Sequence, residues 1–180
     1  SRRIEESATL AISAQAARLR AAGKDVVSLG AGEPDFWTPG PIAEAGIRAI
    51  EQGNTRYTPA PGTPELRAAG ANWLQRTFGL RYTADEVMVC AGAKAALHIA
   101  LDTLVEPGDS VLILAPYWVS YPALVAMADG KPVVLPAVPD AGFIHTAAAI
   151  DAAAKQSRAR GILLNFPNNP SGVVPTRAQL

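Results

Sequence analysis

The sequence has little cysteine, no net charge and no long apolar run, and each shortage excludes a class of protein. Cys90 is the only cysteine among 180 residues, which excludes an internal disulfide framework and favours a reducing compartment, so we expect a cytoplasmic protein. The 16 basic side chains balance the 16 acidic ones, which gives no electrostatic case for binding nucleic acid or an anionic membrane. No apolar run approaches the roughly 20 residues that cross a bilayer. No secretory signal peptide and no metal site are predicted.

Hydrophobic residues make up 49% of the chain, enough to build a sizeable core. Their spacing predicts six helices, over residues 8–22, 41–52, 64–78, 94–105, 120–129 and 146–155. Short apolar runs predict strands, near residue 25 and at 87–90, 111–114, 133–135 and 162–164. Apolar strands that alternate with helices are typical of a parallel sheet covered on both faces, so the predicted fold class is α/β.

This architecture predicts where a ligand binds. Every loop that follows a strand of a parallel sheet leaves from the same edge, and ligands bind at that edge. Loops 91–94, 115–119 and 166–172 are therefore expected to share one rim. Their side chains are far apart in sequence and are considered together as one candidate site.

The first loop, "AGAK", leads from Gly92 directly into a helix. The free N–H groups at a helix start bind anions. Lys94 lies in the first turn, where a cation is unfavourable unless a bound anion compensates. The alternative is an ordinary turn with a solvated lysine. The second loop, "APYWVSY", places Trp118 after a strand, where it either stacks on a planar ligand or packs in the core or an interface.

The third loop, "NFPNNPSG", holds two asparagines flanked by Pro167 and Pro170. Proline fixes the backbone and asparagine tolerates unusual backbone angles, so an amide side chain is held in place here. The amide either donates to a ligand oxygen or only completes a structural turn. Together, the anion site, the aromatic face and the amide donor suit a flat, phosphorylated heterocycle that carries an oxygen.

The motifs "LGAGEPDF", "RYTPAPGTPELR", "AGAKAAL", "APYWVSYP" and "NFPNNPSG" occur in that order. In these motifs the chain resembles the N-terminal portion of pyridoxal 5′-phosphate-dependent class I aminotransferases of fold type I, and it is most like the bacterial aspartate aminotransferase branch. The resemblance implies that residues 1–40 form an N-terminal arm and a segment of the small domain. Residues 41–180 would then form the first part of the cofactor-binding large domain.

The resemblance also implies roles for matching residues. Ala93 and Lys94 would bind the cofactor phosphate through their backbone amides. Trp118 would stack on the pyridine ring and Asn169 would hydrogen-bond its phenolic oxygen, and both would also border the substrate. Tyr57 would reach the phosphate of the neighbouring subunit in a homodimer; its alternative is packing within its own loop.

Gly32 would present its backbone to the substrate α-carboxylate, since glycine permits close approach, or it is a plain turn glycine. Ser7 and Thr9 are candidates to border the substrate side chain. Two residues depart from the common pattern, because Ala93 replaces a glycine and Ser171 replaces a threonine that many relatives have. Both changes preserve the turn.

The implied reaction is transfer of an amino group between an L-amino acid, expected to be aspartate, and a 2-oxo acid, expected to be 2-oxoglutarate. In the resembled enzymes a lysine forms a Schiff base with the cofactor, an aspartate pairs with its ring nitrogen and an arginine binds the substrate. None of the lysines here matches that position, so all three residues are expected beyond Leu180 and no catalytic residue is assigned. The last residues, "PTRAQL", are predicted to begin a helix with Thr176 as its N-cap, so we expect the first part of a longer, catalytically incomplete chain.

Other functions stay open. An aromatic aminotransferase or a β-lyase would use the same fold, and a regulatory protein would use an aminotransferase-like domain without catalysis. A nucleotide-binding oxidoreductase is disfavoured because the first strand is not followed by GxGxxG. Of the two histidines, His98 is predicted to be a hydrogen-bonded structural residue on its helix and His145 a surface loop residue.

Overall fold

The computed structural model describes residues 8–30 and 32–180. These fall into two units, one comprising the described residues up to 30 together with Leu97–Leu180, the other Gly32–Ala96. The division into an arm with a small-domain segment at 1–40 and a large domain from 41 onward stays a prediction. Ser7 lies outside the described residues, and Thr9 is half-buried near the start of the first helix.

The six predicted helices are all present, with ends within two residues of the prediction. They are α1 (Ala8–Ala21), α2 (Gly40–Glu51), α3 (Pro64–Phe78), α4 (Ala93–Leu104), α5 (Tyr121–Met127) and α6 (Ala147–Ser157). Local chemistry sets several of these ends. Thr63 caps α3 by accepting a hydrogen bond from the Leu66 N–H, and Thr146 caps α6 in the same way. Gly79 ends α3 in the left-handed conformation that glycine adopts without strain.

Three parallel strands form the sheet of the first unit. They are β1 (Ser110–Leu114), β2 (Lys131–Leu135) and β3 (Ala159–Leu163), in the order β2-β1-β3. The central strand is the most buried, with Val111, Leu112 and Ile113 at most 2% exposed. A parallel sheet with helices confirms the predicted α/β fold class.

The core lies where β1 meets α4 and α5. Leu101 lies in the last turn of α4 and Val105 lies just beyond its end. Both pack with Val111 and Ile113 of β1. Val125 of α5 completes the centre of this cluster and is 0% exposed. The core therefore fixes the position of β1, and with it the loop that follows β1.

Two strand predictions were wrong. Neither the segment near residue 25 nor residues 87–90 belong to a sheet in the described part of the chain. Residues 87–90 are instead held by isolated contacts, because the Val89 N–H donates to Pro61 O at 2.9 Å. The unit Gly32–Ala96 contains no strand with which they could pair.

Both histidine predictions were also wrong. His145 is 8% exposed, and its Nε2 donates a hydrogen bond to the Pro136 carbonyl oxygen at 3.0 Å. His98 has a buried Nδ1 with no hydrogen-bond partner among the described residues.

In the part of the chain that the structure describes, no helix combines the length and apolarity that crossing a membrane requires.

Thr176 forms the predicted first helical turn. Its carbonyl accepts from the N–H groups of Gln179 and Leu180, at 3.0 and 3.2 Å. The Gln179 side chain in turn accepts from the Thr176 N–H and hydroxyl, at 2.8 and 3.0 Å. This reciprocal pattern is typical of a helix N-terminus.

Candidate functional site

The loops that follow β1 and β3 meet at one edge of the sheet. The Asn168 side chain donates from Nδ2 to the Pro116 carbonyl oxygen at 3.0 Å, across 52 positions of sequence. This bond joins the loop containing Trp118 to the turn containing both asparagines, which confirms that these two loops share a rim. Loop 91–94 belongs to the other unit, and its place on the same rim stays a prediction.

Asn168 organises the asparagine turn. Its Oδ1 accepts from the backbone N–H of Ser171 at 3.1 Å and from the Ser171 hydroxyl at 2.7 Å. Its backbone pairs with Val173 and Gly172, at 2.9 and 2.7 Å, and Gly172 provides the positive φ of 72° that closes the turn. The sequence motif did not reveal this role, although an asparagine three residues before a serine permits it.

Asn169 contributes only its backbone to the turn. Its N–H donates to Asn165 Oδ1 at 2.9 Å, and its peptide bond to Pro170 is cis. The residue is exposed, and its amide side chain makes no hydrogen bond to another described residue. The first asparagine therefore builds the turn, while the second leaves an amide donor and an acceptor exposed.

Trp118 is half-buried and rests on the core. Its ring meets Tyr121 edge to face, with centroids 5.6 Å apart and planes at 86°, and it packs against the buried cluster of β1 and α5. Tyr121 is 8% exposed, and this burial raises the pKa of its hydroxyl. The edge contact fixes the orientation of the indole, which a stacking surface requires.

The second unit carries the start of α4. Gly92 has a φ of 84°, and an added Cβ there would meet no atom within 4 Å. The first bond of the helix runs from the Ala96 N–H to Gly92 O at 3.3 Å. The first turn of the helix, which includes Ala93 and the exposed Lys94, presents the N-terminal end of the helix dipole. An open helix start with a nearby lysine fits a phosphate group.

Gly32 and Tyr57 lie in the same unit as this helix start. An added Cβ at Gly32 would also meet no atom within 4 Å. The Tyr57 side chain is fully exposed, at 108% of its reference area, so the alternative of packing within its own loop is not what the structure has. The roles of both residues toward substrate and cofactor stay predictions.

A cavity of about 110 Å³ opens beside the β1–β3 rim. Its wall is mainly apolar and includes Tyr121, His145 and Asn168. Sequence reasoning missed it because His145 was assigned to the surface.

The family model described as aminotransferase class I and II matches residues 24–180. A probable aspartate/prephenate aminotransferase of Thermus aquaticus is 46% identical over 171 residues, which are 95% of this chain and 44% of that protein. An aspartate aminotransferase of Geobacillus stearothermophilus is 44% identical over 174 residues, 97% of this chain and 44% of that protein. The chain thus spans less than half the length of these relatives.

Solved structures also match nearly the whole of this chain and less than half of their own length. The aspartate aminotransferase of Thermus thermophilus with maleate superposes with a TM-score of 0.93 at 42% identity, covering 99% of this chain and 47% of that one. The aspartate aminotransferase of Rhizobium meliloti gives 0.90 at 44% identity, covering 98% of this chain and 44% of that one.

Proposed function

The chain belongs to the class I and II aminotransferase family, and we propose that it binds pyridoxal 5′-phosphate and serves in amino transfer. The proposed donor is an L-amino acid, aspartate, and the proposed acceptor is a 2-oxo acid, 2-oxoglutarate. The single observation that carries the proposal is the bond from Asn168 Nδ2 to Pro116 O. It holds an aromatic ring and an exposed amide at one edge of the sheet.

The residues present fit this cofactor. The helix start at Ala93 and Lys94 suits the phosphate, the indole of Trp118 suits the face of the pyridine ring, and the amide of Asn169 suits the phenolic oxygen. Gly32 would give its backbone to the substrate α-carboxylate. When bound, the cofactor supplies an electron sink for the carbanion formed at the amino acid Cα.

The proposed role of the residues in this chain is to bind and orient the cofactor. An N–H donor from Asn169 beside the phenolic oxygen would stabilise negative charge at that atom. Trp118, held by Tyr121 and the core, would exclude water from one face of the ring and limit its rotation. Asn168 would fix both loops, so that little ordering remains when the ligand binds. We assign no proton transfer to these residues.

We also propose a homodimer in which Tyr57 reaches the phosphate of the second copy. The support is the exposure of Tyr57 and of the apolar side of α2, where Ile42, Ile47 and Ile50 are 63%, 56% and 68% exposed. No residue of α2 is buried, and apolar area of this kind is typical of a surface that meets a partner. Sedimentation of the full-length protein checks this proposal: a dimer supports it, and a monomer at micromolar concentration contradicts it.

The test of the function is an assay of the product of the full reading frame, saturated with pyridoxal 5′-phosphate. We expect oxaloacetate to form from aspartate and 2-oxoglutarate. Prephenate is a second acceptor to assay, because the names of several relatives include it. Turnover of aromatic donors alone, or release of pyruvate from β-substituted donors, would favour the related enzymes. Cofactor binding without any turnover would favour a regulatory protein, and the absence of cofactor binding would contradict the proposal.

A further inference from the structure

In the unit Gly32–Ala96, a partly buried arginine, Arg67, is hydrogen-bonded to Asp85 and to the Val87 carbonyl. Its side chain is 14% exposed and lies on α3. The guanidinium binds two acceptors, with Nη2 donating to Asp85 Oδ1 at 2.9 Å and Nε donating to Val87 O at 3.0 Å. Arginine suits this position because its planar fork serves both acceptors at once.

The two acceptors belong to the segment that leads into the proposed phosphate site. Val87 is extended, with φ −114° and ψ 128°, but it has no neighbouring strand in this unit, so its carbonyl takes its hydrogen bond from Arg67 instead. A second point of α3 is also close, because a Cβ added at Gly70 would lie 3.4 Å from Val87 Cγ1. The segment is therefore anchored to α3 shortly before it reaches Gly92 and Ala93.

The other side of the same segment holds the loop that follows Tyr57. The Val89 N–H donates to Pro61 O at 2.9 Å. Gly62 has a φ of 104°, and an added Cβ there would lie only 3.0 Å from Val89 Cγ2. The loop and the segment are thus closely packed, and both proposed phosphate contacts of this unit are carried by chain that Arg67 helps to hold.

We propose that Arg67 is a positioning residue for the cofactor phosphate, acting through the Val87 carbonyl and the Asp85 carboxylate on the segment that presents the start of α4. The inference rests on the proposed function, because it assumes that this helix start binds a phosphate. Arg67 acts on the chain and not on the ligand.

The test compares two ligands that differ only in the phosphate. Apo protein from the full reading frame is titrated with pyridoxal 5′-phosphate and with pyridoxal, and binding is followed by absorbance. Arg67→Met removes both hydrogen bonds, whereas Arg67→Lys keeps the charge but replaces the fork by a single ammonium. Arg76→Met is the matched control, since Arg76 is an exposed arginine on the same helix.

Loss of a charge-assisted hydrogen bond corresponds to about a 10-fold change in an equilibrium constant. We therefore expect Arg67→Met to weaken pyridoxal 5′-phosphate binding by about 10-fold while pyridoxal binding changes by less than about 2-fold. Arg67→Lys is expected to lie between Arg67→Met and the wild type. Inorganic phosphate should compete with pyridoxal 5′-phosphate for the wild-type site at lower concentrations than it does for the site of Arg67→Met. Arg76→Met is expected to match the wild type for both ligands.

Equal losses for the two ligands, or no loss for either, would overturn the role of Arg67, since a merely structural residue does not distinguish them. Should Arg67→Met fail to fold, the ligand ratio of Arg67→Lys decides the matter by the same criterion. A wild type that binds both ligands equally well would instead contradict the phosphate site itself, and with it the proposed function.

Discussion

Replacing Asn168 by alanine removes the bond that joins the two loops of the β1–β3 rim. The side chain makes three hydrogen bonds, to Pro116 O at 3.0 Å and from the N–H and hydroxyl of Ser171 at 3.1 and 2.7 Å. Asn168 is half-buried, so water replaces these partners only in part. Asn169→Ala is the matched control, because it removes the same side chain from an exposed position.

The magnitude follows from these contacts. A neutral intramolecular hydrogen bond contributes about 1 kcal/mol net, and an acceptor left without its partner costs more. The Ser171 groups regain part of their loss by turning to solvent, so the three bonds do not simply add. We expect Asn168→Ala to lower the free energy of unfolding by about 2–3 kcal/mol. Asn169→Ala is expected to change it by less than about 0.5 kcal/mol.

Urea unfolding of the full-length apo protein, followed by circular dichroism, measures both values. The slope with urea should be the same for both variants, so that the midpoints report stability. In a cofactor titration we expect Asn169→Ala, which keeps its stability, to weaken cofactor binding directly and to alter the visible absorption of the cofactor. A stable Asn168→Ala, or equal destabilisation by the two variants, would refute the assignment of one asparagine to the turn and the other to the ligand.

Three further changes test the packing and electrostatics of the chain. Gly62→Ala forces a Cβ onto a residue with a φ of 104°, only 3.0 Å from Val89 Cγ2, and should lower the free energy of unfolding by about 2 kcal/mol. An unchanged urea midpoint would contradict this. Glu86 accepts hydrogen bonds from the Thr83 backbone N–H at 2.8 Å and from its hydroxyl at 2.9 Å, and these bonds lower the pKa of Glu86 below its ordinary 4.5. The stability they provide is present above that value and is lost as pH falls through the lower folded pKa. Glu86→Gln should reduce this loss in acid unfolding curves, and an unchanged curve would count against these hydrogen bonds. Burial raises the pKa of Tyr121 above 10.0, so the free energy of unfolding should fall as pH rises past 10. Tyr121→Phe should remove that fall in alkaline unfolding curves, and a fall that persists in the variant would contradict its assignment to Tyr121.

The helices were predictable because their signals are local. Apolar spacing predicts each helix, and residues such as Thr63 and Gly79 mark the ends. The strands were less predictable, because an apolar run such as residues 87–90 indicates extended chain but not a neighbour. Pairing depends on distant segments, and here the carbonyl of Val87 takes its bond from Arg67.

The candidate site was predictable in outline and not in detail. Strand and helix alternation placed Trp118 and the asparagine turn on one rim, since parallel strands end at a common edge. The sequence did not show that Asn168 builds the turn, because two adjacent asparagines offer the same groups. It also did not show that His145 is buried, since its partner is the backbone carbonyl of Pro136 and carries no side-chain signal.

The central claim is that Trp118 and Asn169 hold one ligand ring between them. A crystal structure of the full-length protein with pyridoxal 5′-phosphate tests it most directly. The account predicts the pyridine ring stacked on the Trp118 indole, with its phenolic oxygen within hydrogen-bond distance of the Asn169 amide. A ring bound away from the β1–β3 rim, or one whose phenolic oxygen lies beyond reach of Asn169, would contradict it.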